Sequence, residues 1–552
     1  MIFQRDNFII TVIADRFNNG HWMDLYYLVT NFHWGLIAPL IALLFFVLPF
    51  KSDLVWRYLS ILALVCQLTL NLWVVAHLDF KGHMSLYIKY FDIDFGFFST
   101  TISLAVDYLS MFFYLLVPLI LLLCAISVRA ETLRSKLLYA LILVMDPLLM
   151  NVFLSYDYLH FFIFLELSIL PMFLLISVWG SRSRRSYAAY TYFFFSMFAS
   201  VFFLVSIIIL SAQTGSTSLW SYYSEFTSDD LMLRNLTPLE FEYSMQLTVF
   251  ALLFLSLAIK MPVFPFHIWL PEAHGEASTV GSVILAALFL KMAGFGIFRY
   301  VMPFFPLAYN YYQALGLAIG TIGTLYCSLI IFRQVDLKKF IAYSSVIHMN
   351  LMVVALFSPD SLSLQGAYYT MLAHTIVASL LFFVAGIIYD RYHTRIVFYM
   401  PDLASRMPVI AFLMFFALVA NAGFPVSGSF IAELHILIGI FRTSPVVAFL
   451  CLIGVCATAV AHFLLINRMV YGTVTSDYTY FSNIVPAEDK VKHLSVGYET
   501  VEKTKVTWDW RVSEIMYTSP LLFLTLHMNY AASSYFWYFS DGVTALLALL
   551  GY

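Results

Sequence analysis

Long apolar runs recur along almost the whole of this 552-residue chain. A helix of about 20 apolar residues crosses the hydrocarbon core of a bilayer and satisfies its own backbone polar groups there. We therefore expect an all-α polytopic membrane protein of about 14 transmembrane helices, in which one run, 407–440, is too long for a simple span. The runs lie at 33–50, 54–78, 99–127, 137–154, 158–179, 187–212, 245–270, 278–300, 309–332, 339–358, 363–389, 407–440, 445–470 and 516–537.

The composition excludes the main soluble classes of protein. Hydrophobic residues make up 62% of the chain and charged residues 11%, whereas an average soluble domain has about 25% charged residues. Too little polar surface remains to cover a water-soluble globule of this size. With a net charge of −3 and no basic stripe, a disordered chain and a nucleic-acid partner are excluded as well.

Positive charge alternates between the connectors of these spans. Five Lys or Arg residues lie on one set of connectors, namely Lys81, Lys89, Arg234, Arg299 and Arg442. Fifteen lie on the other set, at 51–57, 129–136, 181–186, 333–339, 390–406 and 468. Because loops on the cytoplasmic or matrix side are enriched in Lys and Arg, we place the second set on that side. The acidic loop at 213–243 then faces the opposite side.

Two spans are interrupted by proline and glycine, at 258–265 and at 421–428. These residues leave backbone polar groups unpaired, which a membrane protein tolerates where the backbone lines a polar cavity or is buried in protein. Broken helices at corresponding places in two halves are typical of transporters built from internal repeats. We expect five-span repeats over 137–300 and 309–470, the second inverted because five is an odd number.

These features divide the chain into six segments. Residues 1–30 mix apolar and charged side chains and predict an amphipathic extension that is neither a signal peptide nor a transit peptide. The polar insert at 473–512 is a solvated loop or a docking surface on the positive side. The other four are the first transmembrane helices at 31–128, the two repeats at 129–302 and 303–472, and a last transmembrane helix with its tail at 513–552.

Six ionisable side chains lie near the middle depth of six different spans, where a charge costs about 2.5–3.5 kcal/mol even on insertion scales. Inert structural ion pairs are one explanation. Six groups at similar depth, two of them beside helix breaks, favour a chain of proton-binding sites along the membrane plane. Within it, Glu166 and Lys260 form a pair whose separation would take up or release a proton. The six are Glu166, Lys260, Lys291, His348, His374 and Glu433.

Neither a metal centre nor a redox cofactor is indicated by the sequence. His267 and His274 lie seven residues apart, wider than zinc ligand pairs usually are, so a polar connector near the proton entrance is favoured over a metal site. The five cysteines form no C-x-x-C motif, which argues against an iron–sulfur cluster. Glycines at 294–296 and 316–323 lie inside apolar spans and predict close helix packing, not a nucleotide loop.

The segments around the charged residues resemble subunit 4 of NADH dehydrogenase, one of the antiporter-like membrane subunits of respiratory complex I. The resemblance covers about 99–470 and continues weakly to about 535. The departures are Leu165 for a tryptophan, Gly275–Ser278 for Val-Glu-Ala-Pro and Tyr108 for a glycine, and none removes an ionisable site. The motifs are LAIKMPVFPFHIWLPEAH at 257–274, GSVILAALFLK at 281–291 and RQVDLKKFIAYSSVIHM at 333–349.

This resemblance implies a role for each of the six residues. Glu166 and its partner lysine resemble the carboxylate of the fifth core helix and the lysine of the broken seventh helix. Lys291 resembles the central lysine of the eighth helix, and His348 and His374 resemble the relay histidines. Glu433 resembles the terminal acid of the broken twelfth helix, where sister subunits are expected to carry lysine.

The function implied by the resemblance is a proton-translocating membrane subunit of NADH:ubiquinone oxidoreductase without a redox centre of its own. Flavin, iron–sulfur clusters and ubiquinone are expected in partner subunits. The expected partners are other membrane-arm subunits, including sister antiporter-like subunits, and membrane lipids. A subunit of a multisubunit cation/proton antiporter is the alternative. The 54 Phe and 36 Tyr favour the mitochondrial inner membrane over a bacterial plasma membrane.

Overall fold

A computed structural model describes residues 10–11, 32, 39–40, 43, 53–78, 86–94, 96, 98–128, 134–219, 243–400, 402–472 and 509–551. Four expected features lie wholly or mostly outside the described residues: the extension at 1–30, the span at 33–50, the loop at 213–243 and the insert at 473–512. Within the described ranges, ten helices are long and apolar enough to cross a membrane. The helical membrane fold is thereby confirmed, and the total of about 14 spans stays a prediction.

Five helices lie in the described ranges between residues 53 and 214. The Asp157 side chain caps the fourth of them by accepting from the backbone N–H groups of Leu159 and His160, which a helix start otherwise leaves unpaired. The five are α1 (Asp53–His77), α2 (Met111–Ser127), α3 (Ser135–Leu154), α4 (Tyr158–Trp179) and α5 (Arg185–Thr214).

Residues 99–127 do not form the single span that the sequence predicts. Their first part belongs to an antiparallel sheet of three strands, in which the middle strand pairs with both others. The helical part, α2, begins only at Met111. The strands are β1 (Ile10–Thr11), β2 (Leu86–Asp94) and β3 (Ser99–Val106).

The error has a local cause. Ile102, Leu104 and Val106 extend the apolar run of α2 toward the amino terminus. The β-branched side chains in this stretch, such as Thr100 and Thr101, nevertheless favour a strand over a helix. The change of direction then occurs at Asp107, whose carboxylate accepts from the Ser110 backbone N–H at 2.9 Å. Hydropathy averaged over a window of residues does not reveal this turn.

The first predicted break is confirmed. Trp269 Nε1 donates to the Ile259 carbonyl at 3.0 Å, and the Phe264 N–H donates to Asn350 Oδ1 at 3.1 Å. Side chains from outside the broken turn therefore satisfy backbone groups that the prolines leave unpaired. The elements are α6 (Tyr243–Lys260), a three-residue 3-10 turn (Phe266–Ile268) and α7 (Trp269–Glu276).

The next four helices include the centre of the bundle. The most apolar stretches of α8 and α11 are entirely buried, whereas that of α1 is 33% buried. Two π-helical turns, Leu285–Phe289 and Ile297–Val301, interrupt α8. The four are α8 (Thr279–Val301), α9 (Pro306–Ile330), α10 (Leu337–Leu356) and α11 (Ser361–Tyr392).

The second predicted break is confirmed as well, because the long run at 407–440 consists of two helices. Ser427 Oγ donates to the Ala420 carbonyl at 3.1 Å across the gap between them. The helices are α12 (Pro408–Asn421) and α13 (Gly428–Thr443), and α14 (Pro445–Met469) follows.

Two helices, α15 (Val512–Tyr530) and α16 (Ala532–Leu550), replace the single span expected at 516–537. The chain bends at Ala531, and the aromatic side chains beyond it pack back onto the bundle. The Phe539 ring lies 4.9 Å from that of Tyr368 on α11. Contacts between aromatic side chains, such as that of Phe539 with Tyr368, therefore position α16 against the bundle.

The connectors predicted on the positive side come together. Lys338 Nζ donates to the Ala277 carbonyl at 2.8 Å, and Arg182 lies 3.9 Å from Asp336. α4 ends beside Arg182, and α3 runs antiparallel to α4, so α3 begins on this side of the bundle. α9 ends on the same side. The first helices of the two repeats therefore run in opposite directions, as inverted repeats require. Arg299, expected on an opposite connector, is instead 4% exposed and lies inside the fold.

Candidate functional site

Glu166 and Lys260 form the expected ion pair. Lys260 is the last residue of α6, at the first break, and its Nζ donates to Glu166 Oε1 on α4. The side chains are 10% and 17% exposed. The second carboxylate oxygen, Oε2, is buried and has no hydrogen-bond partner among the described residues. The pair is therefore held by one contact, which a small movement of α4 or of the break can open.

A cavity of about 20 Å³ adjoins Lys260, which is room for about one water molecule. Its walls include Tyr192 and Ser196 on α5 and Met292 and Ala293 on α8. The last two residues directly follow Lys291 in the chain. The cavity thus lies between the ion pair and the helix that carries the next ionisable group.

Lys291 is fully buried on α8 and has two partners. Its Nζ lies 2.5 Å from the Ala286 carbonyl and 2.7 Å from His374 Nδ1 on α11. Ala286 belongs to the first π-helical turn, a widened turn that often occurs at functional sites. Since the carbonyl only accepts, Lys291 donates to it and, when charged, donates to His374 as well.

His374 connects Lys291 to the second histidine. With Nδ1 accepting from Lys291, the neutral ring carries its proton on Nε2, an atom that is buried without a hydrogen-bond partner in the described part of the chain. The His374 ring centre lies 5.3 Å from that of His348, at an interplanar angle of 61°. The two rings are in contact edge to face.

His348 and Glu433 share a proton site. His348 Nε2 lies 3.2 Å from the Asn421 carbonyl, so this nitrogen carries a proton and donates it. Its Nδ1 lies 3.3 Å from Glu433 Oε1. A hydrogen bond at this second contact requires one further proton, either on Nδ1 or on the carboxyl group. The pair can therefore hold or release one proton without moving its heavy atoms.

The second helix break is shaped around Glu433. Gly423 has a φ of +70°, a backbone conformation that L side chains rarely adopt, and a Cβ atom there would overlap the Glu433 carboxylate. Glycine is therefore required at this position for two reasons, the backbone conformation and the close approach of the acid.

His462, which was not predicted as a site residue, extends this cluster. Its Nδ1 donates to the Thr458 carbonyl at 2.7 Å, so Nε2 is free to accept from Asn421 Nδ2 at 2.8 Å. The second N–H of the Asn421 amide points to Ser344 Oγ at 2.9 Å. A histidine in the middle of the apolar run 445–470 was the available signal.

A buried pair between Asp107 and Arg299 was also missed. Arg299 donates to the Asp107 carboxylate, donates to the Ser155 carbonyl at 3.2 Å and stacks on the Phe295 ring at 4.5 Å. The pair joins the turn before α2 to the end of α8. Its many fixed contacts indicate a structural role.

The two connector histidines have separate surroundings. His267 packs against Phe264 and Tyr326, whereas His274 is fully buried and stacks on Phe382 of α11 at 4.6 Å. No group of three or more His, Cys, Asp or Glu side chains suited to a metal ion occurs in the described ranges.

The six predicted residues thus fall into two groups. Lys291, His374, His348 and Glu433 form one contiguous line across α8, α11, α10 and α13. Glu166 and Lys260 form a separate pair, and no direct hydrogen bond joins them to Lys291 among the residues described. The small cavity adjoins Lys260, and Met292 and Ala293 of α8 form part of its wall.

Known proteins match most of this chain in sequence. Residues 155–461 match the family described as NADH:quinone oxidoreductase/Mrp antiporter, transmembrane. The chain is 36% identical over 386 residues to NADH-ubiquinone oxidoreductase chain 4 of Chondrus crispus, a match that covers 70% of this chain and 75% of the relative. It is 38% identical over 384 residues to the chain 4 of Arabidopsis thaliana, covering 69% and 74%.

A solved structure shares the fold. One chain of respiratory complex I from Thermus thermophilus superposes with a TM-score of 0.78 over 94% of this chain and 99% of its own length, at 23% identity. The family is assigned from the sequence relatives, which match more than two thirds of this chain at 36% and 38% identity. The chain belongs to the NADH-ubiquinone oxidoreductase chain 4 family.

Proposed function

We propose that this chain is a proton-translocating membrane subunit of NADH:ubiquinone oxidoreductase. The observation that carries the proposal is the buried line from Lys291 through His374 and His348 to Glu433. Its two outer contacts can each hold a proton, and the two histidine rings between them meet edge to face. An ionisable line of this kind inside a bilayer is costly and marks an ion pathway. Family membership supports the same function.

In the proposed mechanism, the Glu166–Lys260 pair is the switch. While the pair is closed, the carboxylate neutralises the ammonium group beside the cavity. When it opens, the uncompensated charge of Lys260 acts on Lys291 through the low-dielectric protein interior and favours transfer of a proton toward His374. The proton then reaches the His348–Glu433 site, from which it leaves. Redox energy would open the pair through neighbouring subunits.

The redox chemistry is proposed to take place in partner subunits, which would hold flavin, iron–sulfur clusters and ubiquinone. The proposed partners of this chain are the other membrane-arm subunits, including sister antiporter-like subunits, and lipids. The proposed location is the mitochondrial inner membrane, supported by the names of the Chondrus crispus and Arabidopsis thaliana relatives.

A cation/proton antiporter subunit is the second candidate, because the matched family description includes Mrp antiporters. Glu433 at the end of the line favours the first candidate, according to the resemblance described above. Sodium-dependent proton exchange in vesicles without NADH would favour the antiporter.

The test uses the assembled complex in sealed proteoliposomes, carrying Lys291→Met or Glu433→Gln in this chain. We expect fewer protons translocated per NADH oxidised, while NADH oxidation by a soluble electron acceptor stays at the parent rate. Lys339→Met is the matched control, because Lys339 pairs with Glu272 at 2.6 Å on the connector side and is 29% exposed. An unchanged proton-to-NADH ratio in both relay variants would refute the proposed pathway.

A further inference from the structure

A second buried polar cluster lies in the amino-terminal helices, away from the relay. It contains one acid, Asp146 on α3, together with Gln67 and Asn71 on α1 and Tyr114 on α2. All four side chains are 0% exposed. Asp146 lies about halfway along a helix that is long enough to span the membrane.

Most polar atoms of this cluster have no partner in the described structure. Both carboxyl oxygens of Asp146, both amide atoms of Gln67, Asn71 Oδ1 and the Tyr114 hydroxyl are buried without a hydrogen bond to any described residue. Asn71 Nδ2 alone is bonded, to the Tyr114 carbonyl at 2.8 Å. Gln67 is the side chain that faces the Asp146 carboxyl.

No described cation neutralises Asp146. A buried, unpaired carboxylate is far less stable than the neutral acid, and such a group takes up a proton instead. The charged or titratable groups on the helices packed against α3 have partners of their own. They include Arg57, His160, Glu166, Lys291 and Arg299, together with Lys136 on α3 itself.

We propose that Asp146 and Gln67 form a proton-binding site separate from the relay. The protonated carboxyl group has one O–H donor and one carbonyl acceptor, and the Gln67 amide offers the complementary carbonyl oxygen and N–H. The form with both hydrogen bonds therefore needs the bound proton, because without it one carboxylate oxygen faces the amide oxygen and no hydrogen lies between them. Because this bond would join α1 to α3, the bound proton holds the two helices together.

The position of α1 makes the proton exchangeable. The apolar stretch of α3 is 72% buried but that of α1 only 33%, so α1 forms the outer wall of the site. A small displacement of α1 opens the Asp146 carboxyl to water without disturbing the central helices that carry the relay.

Infrared difference spectroscopy of the assembled complex tests the site. Asp146→Asn keeps the shape of the side chain and is expected to remove one carbonyl band of a protonated carboxylic acid. Gln67→Leu is expected to shift that band to the frequency of a free acid, a change that a purely structural role of Gln67 would not cause. Asp360→Asn is the matched control, because this acid caps α11 near the surface and asparagine preserves the cap.

Exchange is measured by transfer of the complex to D₂O during NADH oxidation. A deuterium shift of the band assigned to Asp146 would support an exchangeable site. The proposal is overturned if Asp146→Asn leaves the protonated-acid bands unchanged, because the carboxyl is then ionised. It is overturned equally if the band is present but shows no deuterium shift during turnover.

Discussion

Replacement of Glu166 by glutamine tests the switch most directly. The substitution preserves the volume of the side chain and removes the carboxylate that faces Lys260. Loss of one member of a buried ion pair costs about 3–5 kcal/mol. The side chains are 10% and 17% exposed, so we take the lower end of this range. Because each 1.36 kcal/mol is a factor of ten, the population of the state with a charged Lys260 falls by about 100-fold.

The assay is proton translocation by the complex in sealed vesicles, followed with a pH-sensitive dye and expressed per NADH oxidised. We expect Glu166→Gln to lower this ratio and Glu166→Asp, which keeps the charge, to lower it less. Ser168→Ala is a matched control on the same helix, because the buried Ser168 hydroxyl bonds only its own helix, at the Leu165 carbonyl, in the described structure.

A second variant separates stability from function. Glu166→Gln combined with Lys260→Met removes both charges, and neutral replacement of a buried ion pair is often close to neutral for stability. The double variant is therefore expected to assemble at the parent level and still to translocate fewer protons. A parent proton-to-NADH ratio in Glu166→Gln would show that the pair is not the switch.

Three further substitutions test the surrounding structure. Gly423→Ala is expected to cost about 1–3 kcal/mol in backbone strain and to displace the Glu433 carboxylate, so proton translocation per NADH should fall. Gly551→Ala is the control, because it changes another glycine of positive φ, far from Glu433 in the chain, and should leave proton translocation unchanged. Asp107→Asn is expected to destabilise the fold by about 3–5 kcal/mol because Arg299 loses its carboxylate partner. A native gel should then show less assembled complex, and assembly at the parent level would contradict this structural role. Trp269→Phe removes the donor to the Ile259 carbonyl and is expected to cost about 1–3 kcal/mol, measured as a lower thermal midpoint, whereas an unchanged midpoint would mean that another group satisfies this carbonyl.

Sequence reasoning located the breaks and the ionisable groups because both are local signals. Proline removes a backbone donor wherever it stands, and a charge within an apolar run is visible without knowledge of its neighbours. The same reasoning failed for β3 because a hydropathy window counts Thr100–Ile102 as part of a span. It also failed for α16, whose position depends on aromatic contacts such as that between Phe539 and Tyr368.

Apart from the Glu166–Lys260 pair, contacts between distant residues could not be predicted from the sequence. Arg299 and Asp107 lie 192 positions apart, and His462 reaches Asn421 from 41 positions away. The sequence around one partner does not identify the other. From the sequence, Arg299 is therefore placed on a connector and His462 in an apolar span. The sequence favours a path from Lys291 through His348 to Glu433, but the place of His374 between Lys291 and His348 depends on the packing of α11 against α8 and α10.

The two breaks explain why the charges occur where they do. A helix that ends inside the membrane leaves carbonyl groups at one end and N–H groups at the other, and these partial charges favour a cation near the first and an anion near the second. Lys260 is the last residue of α6, so the lysine stands at a carbonyl end. Glu433 lies beyond the first turn of α13, but its carboxylate reaches back to Gly423 in the second break. The first break therefore lowers the cost of a positive charge in the membrane interior, and the second break leaves room for the acid. The buried histidines and Lys291 lie between two such ends, on helices whose apolar stretches are wholly or largely buried. A proton passing along this line begins beside a site that favours positive charge and finishes at a site that can neutralise it.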